Sequence, residues 1–180
     1  MPRPSPQVED ALRAVRLLAF DVDGTLTDGR VVYLGEDELQ SFCVHDGQGL
    51  AWLRREGLVQ AWISGRGCEA TRRRAKDLGV DELHLGAGPK EAVLAGVQER
   101  LGIGPDETLA MGDDLPDLAL ARRAALFAAP SNARVEVREH AQLRLQAAGG
   151  YGAARELAES ILRARGLWDP KVNGYVHGDA

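Results

Sequence analysis

"LLAFDVDGTLTDG", residues 17–29, runs four apolar residues straight into two aspartates and a glycine. A short, continuous apolar run such as Leu17 to Phe20 fits a strand covered on both faces, as in a parallel sheet. A buried strand that ends in Asp21 and Asp23 carries a cost, because an uncompensated buried carboxylate is strongly disfavoured. Either the rest of the chain supplies partners for these charges, or the stretch is only a polar turn.

The same kind of apolar run recurs at 58–64 ("LVQAWIS"), 108–112 ("TLAMG"), 125–129 ("ALFAA") and more weakly at 82–85 ("ELHL"). Helical patterns lie between these runs. Residues 90–101 place Val93, Leu94, Val97 and Leu101 on one face, with Pro89 before them and Gly102 after. Residues 67–78 read as a polar, Arg-rich helix closed by Gly79, and residues 152–165 carry Leu157, Ile161 and Leu162 on one side. Strands alternating with helices predict an α/β fold, a Rossmann-like parallel sheet with flanking helices. "RVVYLGEDELQSFCV" at 30–44 breaks the alternation: two strand-like runs around Gly35-Glu36-Asp37 predict an inserted β-hairpin. Its apolar residues exceed what a free two-stranded hairpin carries in water, so it is expected to bind other subunits rather than fold over its own site. No other insertion is long enough for a cap domain.

The 180 residues suit one domain, and 44% apolar with 27% charged residues is ordinary globular composition. The expected organisation is a partly disordered lead-in at 1–14, a single domain at 15–166, and a tail at 167–180. A net charge of −5 argues against nucleic acid or an anionic membrane as partner. Only Cys43 and Cys68 are present, so neither a disulfide framework nor a zinc site is read, and a cytoplasmic setting is expected. "MPRPSPQVED" lacks the apolar core of a signal peptide, and no apolar run reaches membrane-spanning length.

Ligands of open parallel sheets sit beyond the carboxyl ends of the strands. Asp21 and Asp23 follow the first run there, Ser64 ends the second in "ISGR", Lys90 follows "HLGAGP", and Asp113, Asp114 and Asp117 follow the third in "GDDLPD". Singly, each is an ordinary cap or turn residue. Asp-x-Asp-Gly also opens a calcium loop, but Leu26 and Val32 occupy the positions that loop reserves for Gly and Glu. Together, the carboxylates repel one another and raise their own pKa values, a conflict that a hard dication such as Mg²⁺ removes. A dication and a lysine suit a phosphoryl group, and a carboxylate in reach of phosphorus can form an aspartyl-phosphate.

"DVDGTLTDG", "ISGR", Lys90 and "GDDLPD", in that order, resemble the four motifs of the haloacid dehalogenase superfamily of phosphatases. The resemblance implies Asp21 as nucleophile and metal ligand, and Asp23 as acid/base with its main-chain carbonyl on the metal. It implies Ser64 and Lys90 as holders of the phosphoryl oxygens and Asp113 as the third protein ligand to Mg²⁺. Asp117 would orient Lys90 or a metal-bound water, and Asp114 would support the loop. "LTDGRVVY", "FCVHDGQG", "APSNA" and "GGYGAARELAESIL" are similar to the capless 3-deoxy-D-manno-octulosonate 8-phosphate phosphatases. That resemblance implies a sugar acid phosphate as substrate and a homotetramer. His45 stands where that family usually has arginine. Gly65, Arg66, His45 and Arg74 are the expected substrate contacts. The alternatives are a nine-carbon sialic-type acid 9-phosphate or another sugar phosphate as substrate, a non-catalytic oligomerisation module, and a phospho-accepting receiver.

Overall fold

The structure, a computed structural model, describes residues 5–178. Its sheet has six parallel strands: β1 Leu17–Phe20, β4 Val59–Ser64, β5 Glu82–Leu85, β6 Thr108–Met111, β7 Leu126–Ala129 and β8 Leu143–Arg144, ordered β5-β4-β1-β6-β7-β8. Each expected strand is present. β8 is an addition, too short to carry a pattern of its own. β1 sits between β4 and β6, with Phe20 opposite both Trp62 and Met111. The residues that follow these three strands therefore emerge along one edge.

Alternate side chains of β1 feed two cores. Leu18 and Phe20 join Leu12, Leu50, Leu53, Leu157 and Ile161 on one face; Leu17 and Ala19 join Leu94, Val97, Leu120 and Val137 on the other. The first face is covered by α1 Pro6–Ala14, α2 Val44–Arg55, α3 Glu69–Leu78 and α7 Ala153–Ala164, the second by α4 Lys90–Leu101, α5 Leu118–Ala121 and α6 Val135–His140. Burial on both faces explains why the strands read as unbroken apolar runs.

α2 and α7 pack closely because their contact residues are small: a Cβ on Gly49 would lie 3.1 Å from the Ala158 Cβ. Buried Asp46 accepts hydrogen bonds from the Arg155 N–H at 2.8 Å and the Gly152 N–H at 3.2 Å, capping the start of α7. "DGQG" and "GGYGAARE" are thus, in this chain, two sides of one helix–helix joint.

Both ends of the chain depart from expectation. Residues 6–14, assigned to a partly disordered lead-in, form α1. Ser5 caps it, Leu12 is fully buried, and the Arg13 Nε donates to the Ala164 carbonyl at 2.7 Å. Three prolines suggested disorder, but Pro6 falls in the first helical turn, where a missing N–H costs nothing. Residues 1–4 lie outside the described set. The tail forms α8 Trp168–His177. Trp168 and Tyr175 meet the Trp52 ring at 5.9 Å, and the Arg155 guanidinium lies 4.0 Å from its centroid. α1 and α8 therefore both pack against the region expected as the single domain.

The inserted hairpin pairs β2 Val32–Leu34 with β3 Asp37–Leu39, Leu34 facing Asp37 across a two-residue turn at Gly35-Glu36. Asp37, expected in the turn, is the first residue of β3 because Gly35, at φ 64°, completes the reversal early. Tyr33 and Leu34 are 70% and 67% exposed, and Val31, Val32 and Leu39 are exposed beside them.

The loop between β8 and α7 presses on the turn after β1. Gly149 donates its N–H to the Asn132 Oδ1 at 2.7 Å, and the Asn132 Nδ2 donates to the Gly24 carbonyl at 3.3 Å. A Cβ on Gly149 would fall 1.8 Å from that same carbonyl oxygen. Gly149→Ala should therefore destabilise the protein by about 1–3 kcal/mol, a fall of several degrees in Tm. Gly104→Ala, whose Cβ would meet nothing within 4 Å, should leave Tm almost unchanged. Equal melting temperatures for the two variants would contradict this packing.

Candidate active site

Asp21 follows β1 and Lys90 opens α4. The Lys90 Nζ donates to the Asp21 Oδ1 at 2.5 Å and to the Asp117 Oδ1 at 2.6 Å. Both carboxylates are nearly buried, and the lysine side chain is 11% exposed. The other Asp117 oxygen accepts the backbone N–H groups of Asp113 and Asp114 at 3.0 and 3.1 Å, which folds the turn after β6 around it. Asp113 is held by the Thr25 Oγ1, which donates to its Oδ1 at 2.9 Å.

One ammonium thus serves a cluster of three carboxylates. Burial raises Asp21 to about 8, with the Asp117 charge adding to it and Lys90 opposing it. Burial raises Asp113 to about 6, against the Thr25 hydrogen bond and with the help of Asp117 and Asp114. For Lys90, burial lowers the pKa, but the charges of Asp21 and Asp117 outweigh it and the net shift is upward. Asp21, Asp113 and Asp117 each offer an oxygen within 4.8 Å of the others'. An all-oxygen set with excess negative charge fits a hard dication such as Mg²⁺.

The Asp23 carboxylate has its hydrogen-bond partners outside this trio. Its Oδ2 accepts the Ser64 hydroxyl and its Oδ1 the Gln40 side-chain amide, each at 2.8 Å. Only its main-chain carbonyl is left for the metal contact expected of it. Asp117, expected behind the ligands, stands among the three carboxylates and also orients Lys90. Asp114 is exposed and caps the short turn Leu115–Asp117, accepting the Leu115 N–H at 2.9 Å.

The expected substrate contacts separate. Arg66 stays at the rim, its Nε 3.8 Å from the Asp23 Oδ1 and its Nη2 donating to the Glu38 Oε2 at 2.8 Å. Gly65 is exposed beside it. Arg74 instead lies across Gly47 of α2, 3.5 Å from the Cys43 carbonyl. His45 is exposed in the first turn of α2. Neither has a contact in the cluster among the described residues.

Sequence reasoning missed Thr25, Gln40, Thr71, Asn132 and Gly149. Thr25, Asn132 and Gly149 stand within the motifs given above, but which carboxylate or carbonyl they serve is a tertiary fact. The hairpin, expected not to fold over its own site, does reach it: Glu38 bonds Arg66 and Gln40 bonds Asp23.

No protein-family model matches the chain. It is 34% identical over 167 residues to 3-deoxy-D-manno-octulosonate 8-phosphate phosphatase KdsC of Salmonella typhimurium, an alignment spanning 92% of this chain and 88% of that protein. Among solved structures, that phosphatase from Moraxella catarrhalis, in complex with magnesium ion, phosphate ion and the KDO molecule, superposes with a TM-score of 0.91 at 34% identity, covering 95% of this chain and 99% of the other. A Legionella pneumophila structure assigned to haloacid dehalogenase superfamily subfamily III A gives a TM-score of 0.88 at 34% identity, covering 95% and 94%. With four motifs in order along one sheet edge and identity of this level over nearly the full length, the chain belongs to the 3-deoxy-D-manno-octulosonate 8-phosphate phosphatases of the haloacid dehalogenase superfamily.

Proposed function

We propose that the protein is a Mg²⁺-dependent phosphomonoesterase that works through an aspartyl-phosphate on Asp21 and releases phosphate from 3-deoxy-D-manno-octulosonate 8-phosphate. The observation that carries this reading is the close trio Asp21, Asp113 and Asp117, of which buried Asp21 and Asp117 are bridged by Lys90. Asp21, Asp113 and the Asp23 carbonyl would hold the metal, with Asp117 beside them. When bound, the dication offsets the carboxylate charge and draws electron density from the phosphoryl oxygens.

In the first step an Asp21 oxygen bonds to phosphorus and the ester P–O bond breaks, while the Asp23 carboxyl gives its proton to the departing alkoxide. In the second, the Asp23 carboxylate takes a proton from water as the water oxygen bonds to phosphorus. The P–O bond to Asp21 then breaks, inorganic phosphate leaves, and both aspartates are restored. Lys90 holds the phosphoryl oxygens in place; Ser64, expected to share that task, has its one hydroxyl proton on the Asp23 Oδ2.

The eight-carbon sugar acid is favoured over other esters by the Moraxella relative, whose structure holds KDO with phosphate. Arg66, partly exposed at the rim and paired with Glu38, is the cation placed to take the sugar carboxylate. Arg74 and His45 have no part in this reading. A cytoplasmic homotetramer is part of this reading; the exposed apolar face of the hairpin supports association with other copies of the chain.

Asp21→Asn should keep the fold and reduce phosphate release to background; substantial turnover by that variant would refute Asp21 as nucleophile. A chelator should abolish activity, and added Mg²⁺ should restore it.

Proton linkage gives a further expectation for the metal-free protein. Asp113 and Asp21 hold protons in the folded state at pH values where the unfolded chain has released them. The stability this brings is present at low pH and is lost as pH rises through about 6 for Asp113 and about 8 for Asp21. Metal-free Tm should therefore fall from pH 5 to pH 8, and Mg²⁺ should reduce the fall. Asp113→Asn should flatten it and raise the metal-free Tm at pH 8. Parallel melting curves for the variant and the parent across this range would contradict the linkage.

A further inference from the structure

We propose that Gln40, at the end of the inserted hairpin, is a positioning residue for Asp23 and sets the geometry of its proton transfers. The proposal rests on the acid/base reading of Asp23 given above. The Gln40 Nε2 donates to the Asp23 Oδ1 at 2.8 Å, while the Ser64 hydroxyl donates to the Oδ2 at 2.8 Å. Each oxygen of the carboxylate thus has its own donor. The amide is itself held, because the Thr71 hydroxyl donates to the Gln40 Oε1.

Simple chemistry fixes the direction of this chain. An ionised carboxylate only accepts hydrogen bonds, so the nitrogen end of the amide must face Asp23 and the oxygen end must face Thr71. Thr71 is 1% exposed, and its branched side chain is stiff on α3. The amide nitrogen accepts no proton, so Gln40 orients Asp23 without competing for the proton it transfers. Without Gln40, one oxygen of Asp23 loses its anchor and the carboxyl can rotate out of line with the leaving oxygen.

The hairpin is fastened where it delivers this residue. Arg66 bonds Glu38 at 2.8 Å, and the Cys68 thiol lies 3.7 Å from the Glu38 carbonyl. The insertion is therefore part of the catalytic apparatus of its own subunit, independently of what covers its exposed face.

The test compares a sugar ester, 3-deoxy-D-manno-octulosonate 8-phosphate, with an aryl ester, p-nitrophenyl phosphate, whose leaving group needs little help from an acid. Loss of the acid itself, in Asp23→Ala, should cost about 10²–10⁴-fold on the sugar ester. Gln40→Leu should lower kcat for the sugar ester by about tenfold with KM within twofold. The aryl ester should lose less than threefold in the single-turnover phosphorylation step. In an Asp23→Ala background, Gln40→Leu should have no further effect, because the residue acts only through Asp23. Gln40→Lys, which keeps a donor of similar reach, should recover most of the loss, and Thr71→Val should show a smaller loss with the same leaving-group dependence.

Equal losses on both esters would overturn the proposal, as would a full additional loss in the Asp23→Ala background. If Gln40→Leu fails to fold, Gln40→Lys and Thr71→Val still decide it: indifference of both esters to Thr71→Val would overturn it. Absence of leaving-group dependence in Asp23→Ala would sink the acid/base reading itself. Its presence there, without any in the Gln40 and Thr71 variants, would sink this inference alone.

Discussion

Three carboxylates gathered around one buried ammonium are the constraint on which the rest of the structure depends. Lys90 bridges Asp21 and Asp117, and Asp113 adds a third charge that no protein cation offsets at hydrogen-bond distance among the described residues. Such a cluster is costly in a packed interior. It persists because strong elements hold each member: β1 and β6 are neighbours in register, and the turn after β6 is wrapped on the Asp117 carboxylate by two backbone N–H groups. The stored repulsion prepares the site for a dication and for the oxygens of a phosphoryl group.

The surroundings are built to keep that cluster from relaxing. Gly24 leaves no room behind it: a Cβ there would lie 2.3 Å from the Asp113 Oδ2. Gly149 seats the opposite loop on the Gly24 carbonyl, with Asn132 bridging the two. The α2–α7 joint, with Asp46 capping α7, steadies the helix that this loop enters. On the open side the hairpin brings Gln40 and Glu38 to Asp23 and Arg66, so an insertion completes a site whose other members all come from the sheet edge.

The parallel sheet and the four polar stations at its edge were legible because they obey local rules. A strand buried on both faces must read as an apolar run, and a ligand site at its carboxyl end must draw on the residues that come next. Asp21, Ser64, Lys90 and Asp113 end a run, sit one or two residues beyond one, or hold the first position of a helix, where sequence spacing alone places them. Gln40 was not legible, since its partner depends on how the hairpin folds back over α3. Arg74 looked like a rim cation by resemblance, but Gly47 offers it a groove on α2, and a long side chain follows the surface available to it. α1 and α8 escaped notice because proline content and lack of resemblance say nothing about Leu12 or Trp168, whose burial is settled by distant residues. The short β8 depends on pairing with β7 rather than on any pattern of its own.

The central claim is that phosphate passes through Asp21 before it reaches water. The stereochemical course at phosphorus tests this most directly, using an ester whose phosphoryl group is made chiral with oxygen isotopes. Two successive in-line displacements, first by Asp21 and then by water, predict net retention of configuration in the released phosphate. Net inversion would mean that water attacks the ester directly, and would contradict the account.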